Sequence, residues 1–110
     1  MMKRVRFYIG MKTKDYEPVT YEIRKKLELA LAAFGGGGYT KTFAFGSWDG
    51  RKEPARVYEF IMDVSHETAQ ETAAHLAHIA KQNCVLVTLE PVDAHFVRAA
   101  YSEDTPEVQV

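Results

Sequence analysis

Hydrophobic and polar positions change period several times along the chain, and each change marks an element. From Val5 to Met11 apolar residues (Val5, Phe7, Ile9, Met11) alternate with Arg6, Tyr8, Gly10 and Lys12, the signature of a strand with one buried face. After KTKDYEPV the period lengthens: Ile23, Leu27, Ala30, Leu31 and Phe34 recur at helical spacing, with Thr20 placed to cap the helix. That helix is expected to end at four consecutive glycines, Gly35 to Gly38, the first of which can take a left-handed cap position. Tyr39 to Trp48 alternates again and reads as a strand. Asp49-Gly50 then supplies a turn, and Pro54 opposes a central strand at its own position. A third strand follows over Arg56 to Asp63, the two strands enclosing a long charged tip, SWDGRKEPA. Ser65 caps a second predicted helix reaching Asn83, whose Ala69, Ala73, Leu76 and Ala80 make a narrow face suited to close packing on a sheet. Cys84 to Leu89 reads as a buried strand, and beyond Pro91 the residues Ala94 to Ala99 are expected as a short extra strand or an arm.

The order β-α-β-β-α-β predicts an α+β, ferredoxin-like fold, with four antiparallel strands and both helices on one face. One domain over residues 1–100 is expected, followed by a polar, acidic tail over 101–110. The second sheet face must then meet water, a ligand or another subunit. A chain of 110 residues with 46% apolar content has one core and leftover apolar surface, so a homo-oligomer is expected, with a dimer the favoured state.

Composition narrows the partners. Fourteen Lys and Arg against fifteen Asp and Glu leave a formal charge of −1, which gives no net attraction for a polyphosphate and disfavours nucleic acid. Lys3, Arg4, Arg6, Lys12 and Lys14, like Arg24, Lys25 and Lys26, read as solvated basic clusters. The single cysteine, Cys84, rules out an intrachain disulfide and reads as a buried side chain. No apolar stretch has the length of a membrane span, so the expected setting is the cytoplasm.

FYIGMK and RVYEFIMD resemble the two RNP motifs of an RNA-recognition domain. Stacking on RNA needs Tyr8, Tyr58 and Phe60 together on the open face. The cost of turning Glu59 into the core opposes that arrangement and places Tyr58 and Phe60 inside. A broader likeness covers nearly the whole chain. RFYIG, GYT, GSW, KEPARV and QNCVLVTLEPV resemble the R-x-Y-x-G start, G-x-W element, R/K-E-P-S/A-K/R-V segment and Q-x-x-V-L ending of a family of small bacterial and phage-associated proteins. That family is catalogued only as a domain of unknown function. The resemblance implies a ferredoxin-like fold and brings no activity with it; the full tetraglycine departs from the pattern.

Candidate chemistry is sparse. His75 and His78, three apart and one turn after Glu71, lack the further ligands a metal needs, so no metal is assigned, and no cofactor motif is present. No P-loop exists, and the glycine run follows a helix C-terminus, where the dipole repels phosphate. It is read as a connector or cap, with a ligand lid as the lesser alternative. Arg6, Tyr8, Gly37, Gly38, Gly46, Trp48, Glu53 and Arg56 are the candidate ligand-binding residues: glycines leave room, Trp48 can cover a planar ligand, and the charged groups can orient one. The plainer alternative has Trp48 closing the core and Glu53 paired with Arg56. The functions in view are a small-ligand-binding or regulatory homo-oligomer, an enzyme with a site on the sheet face or between subunits, and an RNA- or protein-binding module. For the enzyme, the first residues to substitute are Glu53, Tyr8, Arg6 and His66.

Overall fold

The computed structural model describes residues 1–100 other than Gly37 and Asp49, and the backbone but not the side chain of Trp48. Its elements run β1 (Lys3–Gly10), α1 (Tyr21–Gly35), β2 (Thr40–Trp48), β3 (Arg51–Met62), α2 (His66–Ile79) and β4 (Leu86–Pro91). The strands form one antiparallel sheet in the order β2-β3-β1-β4. The expected β-α-β-β-α-β arrangement is therefore the one observed.

Strand alternation and helical spacing meet in a single core. Val5, Phe7 and Ile9 of β1 and Tyr58 and Phe60 of β3 are buried against Leu27 and Leu31 of α1 and the Ala69, Ala73, Leu76 and Ala80 stripe of α2. Phe7, Phe34 and Phe60 meet edge to face, with centroids 5.1 to 5.9 Å apart, where the positive rim of one ring faces the negative face of the next. Tyr58 and Phe60 thus lie under the helices, and the open-face aromatic platform an RNA-binding reading needs does not form.

Both helices begin where the caps predict: the Thr20 hydroxyl accepts from the Ile23 amide and the Ser65 hydroxyl from the Thr68 amide. Their ends differ from expectation. The second glycine of the run, Gly36 at φ 67°, takes the left-handed cap, while Gly35 stays helical and packs so near the Phe60 ring that a Cβ there would collide with it. Gly37 lies outside the described residues. Helix α2 stops at Ile79, and Lys81 at φ 56° turns the chain out of the helix before Asn83.

The hairpin is longer and tighter than expected. Trp48 pairs with Arg51, so the turn is two residues with Gly50 at φ 75°, and most of the supposed charged tip is strand. Pro54 fits inside β3 because its carbonyl accepts from Met11 on the β1 side, and its missing N–H falls on that same side, where β1 has just ended. At the other end, β4 starts at Leu86 rather than at Cys84, which leaves Cys84 exposed in the preceding connection. Ala94 to Ala99 forms no strand, and Phe96 and Val97 are exposed.

Candidate functional site

The uncovered sheet face divides into two unlike halves. Toward the start of β1 it is charged. Glu59 accepts from Arg6 at 2.7 Å and lies 3.5 Å from the Nε of Arg4, while Arg4 reaches Glu90 at 2.9 Å. The Glu59 hydrogen bond holds the Arg6 guanidinium above its ordinary range. Arg6 is committed to this strip and does not line the hollow described next.

Toward the end of β1 the side chains shrink. Gly10 pairs with Ala55, Ala44 also pairs with Ala55, and Gly46 pairs with Glu53. Alternation puts all of them on the uncovered face, where they floor a cleft of about 720 Å³. Tyr8, Val57 and Leu86 wall it on one side. Lys12 to Lys14 and Tyr16 of the β1–α1 connection close another side, and Gln82 to Val85 of the α2–β4 connection a third. These two connections are fastened together: the Gln82 amide donates to the carbonyls of Gly10 (2.5 Å) and Lys12 (2.8 Å), and Lys14 N–H donates to Lys81 at 2.9 Å.

Glu53 is the carboxylate of this cleft, whose walls also carry Lys12, Lys14 and Gln82. Its carboxylate folds over Gly10 so closely that a Cβ on Gly10 would overlap it, whereas a Cβ on Gly46 would meet nothing within 4 Å among the described residues. Among the described residues it has no hydrogen-bond or ion-pair partner, in contrast to the fully engaged Glu59 and Glu28. A half-buried, unpaired carboxylate above a floor of glycine and alanine can accept hydrogen bonds from a ligand laid flat on the sheet.

Of the residues singled out in the sequence, Tyr8, Gly46 and Glu53 come together here, with Gly10 beside them. Arg56 does not. It occupies the opposite parity of β3, pairs with Ile9, lies 3.6 Å from Glu28 under the helix side and stacks on Phe43 at 4.9 Å. The suggested Glu53–Arg56 surface pair is therefore absent, since the two side chains leave opposite faces of the sheet. Gly38 precedes the far end of β2, roughly 20 Å along the strand from Gly46, and does not line the cleft. The Trp48 side chain lies outside what the structure describes. His66, exposed at the start of α2, is not a lining residue, and His75 and His78 are exposed on the same helix.

Sequence reasoning missed Tyr16, Gln82 and the Ala44–Ala55 floor. The floor was legible in part, because alternation from Gly46 leads to Ala44 on the same face. The two connections carried no periodic signal.

No protein-family model matches the chain, and no curated protein matches it. Solved structures do. The chain is similar to a phage SAM lyase in complex with S-methyl-5'-thioadenosine, with a TM-score of 0.62 at 19% identity over 81% of this chain and 80% of that one. A phage SAM lyase in the apo state gives 0.58 at 18% identity over 92% of each chain. At such identities the likeness concerns the fold.

Proposed function

We propose that the cleft binds a nucleoside of the S-adenosylmethionine class and that the protein acts on it as a lyase, releasing S-methyl-5'-thioadenosine. The observation that carries this reading is the Glu53 carboxylate, without a partner among the described residues, over the Gly10, Ala44, Gly46 and Ala55 floor. The fold likeness to a lyase holding that thioadenosine supports the choice of ligand. Phage association, cytoplasmic location and membership in the small bacterial and phage family of the sequence resemblance belong to the same reading.

The chemistry suits such a site. Cleaving a carbon–sulfur bond of a sulfonium sends both electrons to sulfur, which leaves as a neutral thioether. The carbon fragment then either closes on its own carboxylate or loses a proton from the neighbouring carbon, and no water is consumed. Positive charge disappears from sulfur in the transition state, so the apolar Ala44 and Ala55 part of the floor favours the step, whereas a carboxylate placed against sulfur would stabilise the ground state instead. Glu53 is therefore assigned to the ribose hydroxyls, the role carboxylates play toward ribose in nucleotide sites. Tyr8 is assigned to the wall against which the aliphatic part packs.

Leu86, 59% exposed on the uncovered face, is apolar surface at the cleft that a second copy would cover, so the active species is expected to exceed one chain by light scattering. The test is incubation with S-adenosylmethionine followed by chromatography. Thioadenosine is expected to accumulate, and Glu53→Gln is expected to weaken its binding about tenfold, as for loss of a charged hydrogen bond, with the melting temperature unchanged. Binding without turnover would leave a regulatory ligand-binding module; neither binding nor turnover would overturn both readings.

A further inference from the structure

The β1–α1 connection holds an aromatic residue where glycine would fit with less strain. Tyr16 has φ 62°, in the left-handed region that bulky side chains rarely occupy. The loop is built to keep it there. The hydroxyl of the buried Thr13 accepts from the amides of Asp15 and Glu17, its carbonyl accepts from Tyr16 at 2.9 Å, and its own amide donates to Glu17 at 2.7 Å. A strained residue persists only where its surroundings over-determine it, and the outlier points to a use for the ring.

Arg51, at the start of β3, places its guanidinium 4.1 Å from the centre of that ring, joining the hairpin to the connection. Tyr16 lines the cleft and Arg51 does not. The guanidinium covers one face of the ring, and the other face is left for a ligand, in keeping with a residue 46% exposed.

We propose that Tyr16 is the stacking platform for the purine base of the nucleoside, and that Arg51 is a positioning residue holding the ring in place. The assignment deepens the function proposed above and rests on it for the identity of the ligand. Gly10 and Glu53 receive the ribose at one side of the floor, and the aromatic wall receives the base.

Calorimetric titration of the full chain with adenosine, S-methyl-5'-thioadenosine and the base-free S-methyl-5-thioribose tests it. Tyr16→Gly, which suits the left-handed backbone, is expected to weaken both base-containing ligands about 10- to 100-fold, as for loss of one base stack, and to leave the base-free sugar unchanged. Tyr16→Phe is expected to bind as the wild type does. Arg51→Ala is expected to weaken the base-containing ligands a few-fold, with Arg51→Lys restoring most of the loss. Unchanged adenosine affinity in Tyr16→Gly, equal weakening of the base-free sugar, or no adenosine binding by the wild type would overturn the platform. Thioadenosine release with Tyr16→Gly binding as the wild type removes the platform and keeps the lyase. Tyr16-dependent adenosine binding without release removes the lyase and keeps the platform.

Discussion

Gly10 and Gly35 both lack space for a Cβ, yet the neighbour in the way differs. At Gly10 it is the flexible carboxylate end of Glu53, whereas at Gly35 it is the ring of Phe60, locked in the aromatic core. Gly10→Ala is therefore expected to change stability by no more than about 0.5 kcal/mol and to weaken thioadenosine about tenfold by displacing Glu53. Gly35→Ala should cost about 1–3 kcal/mol through overpacking while leaving the affinity of the folded protein intact. Thermal denaturation beside calorimetric titration separates the two. At this scale the sequence was legible where residue type and strand parity agreed, as for Tyr8, Gly46 and Glu53. It failed at Arg56, although the parity that keeps Glu59 out of the core carries Arg56 to the helix side with Tyr58 and Phe60. Tyr16 gave no signal, because its left-handed backbone is imposed by Thr13 and by the hydrogen bond that the Lys14 amide donates to Lys81 on a remote connection.

Among the elements, the hairpin is tied to α1 by one acidic residue. Glu28 accepts from the Tyr58 hydroxyl at 2.8 Å and from Lys41 at 3.0 Å, with Arg56 at 3.6 Å. Burial pushes the Glu28 carboxyl up, but these donors outweigh it and hold the group below its ordinary 4.5. Burial and the same hydrogen bond push Tyr58 up. A carboxyl whose pKa is lower in the folded state stabilises the fold above its unfolded value, and that contribution is lost as pH falls through the folded value. Glu28→Gln should therefore cost roughly 1–2 kcal/mol at neutral pH, with the gap to the wild type closing at acid pH, below the ordinary carboxyl range. Denaturant titrations at both pH values measure the gap, and a constant gap would contradict the assignment. Element order and helix starts were readable because alternation, spacing and hydroxyl caps are local. Element ends were less so: Pro54 is admitted to β3 only because β1 stops beside it, and α2 ends at a left-handed Lys81.

Across the whole molecule, two helices cover one side of the sheet, and the other side is partitioned into a charged strip at Arg4, Arg6, Glu59 and Glu90 and a small-residue cleft at Gly10, Ala44, Gly46 and Ala55. The carboxylates of the strip are paired with Arg4 and Arg6, whereas the cleft holds a carboxylate without a partner among the described residues. Among those residues, no helix is long and apolar enough to cross a membrane. The sequence foretold an uncovered face but not its partition, which depends on how β2 registers against β3. Mapping amide chemical shifts of the labelled protein during titration with S-methyl-5'-thioadenosine tests the account most directly. Saturable changes are predicted at Tyr8, Gly10, Tyr16, Gly46 and Glu53, with Arg4, Glu90 and Gly38 unmoved. Changes confined to the charged strip or the glycine connector, or none at saturating ligand, would contradict it.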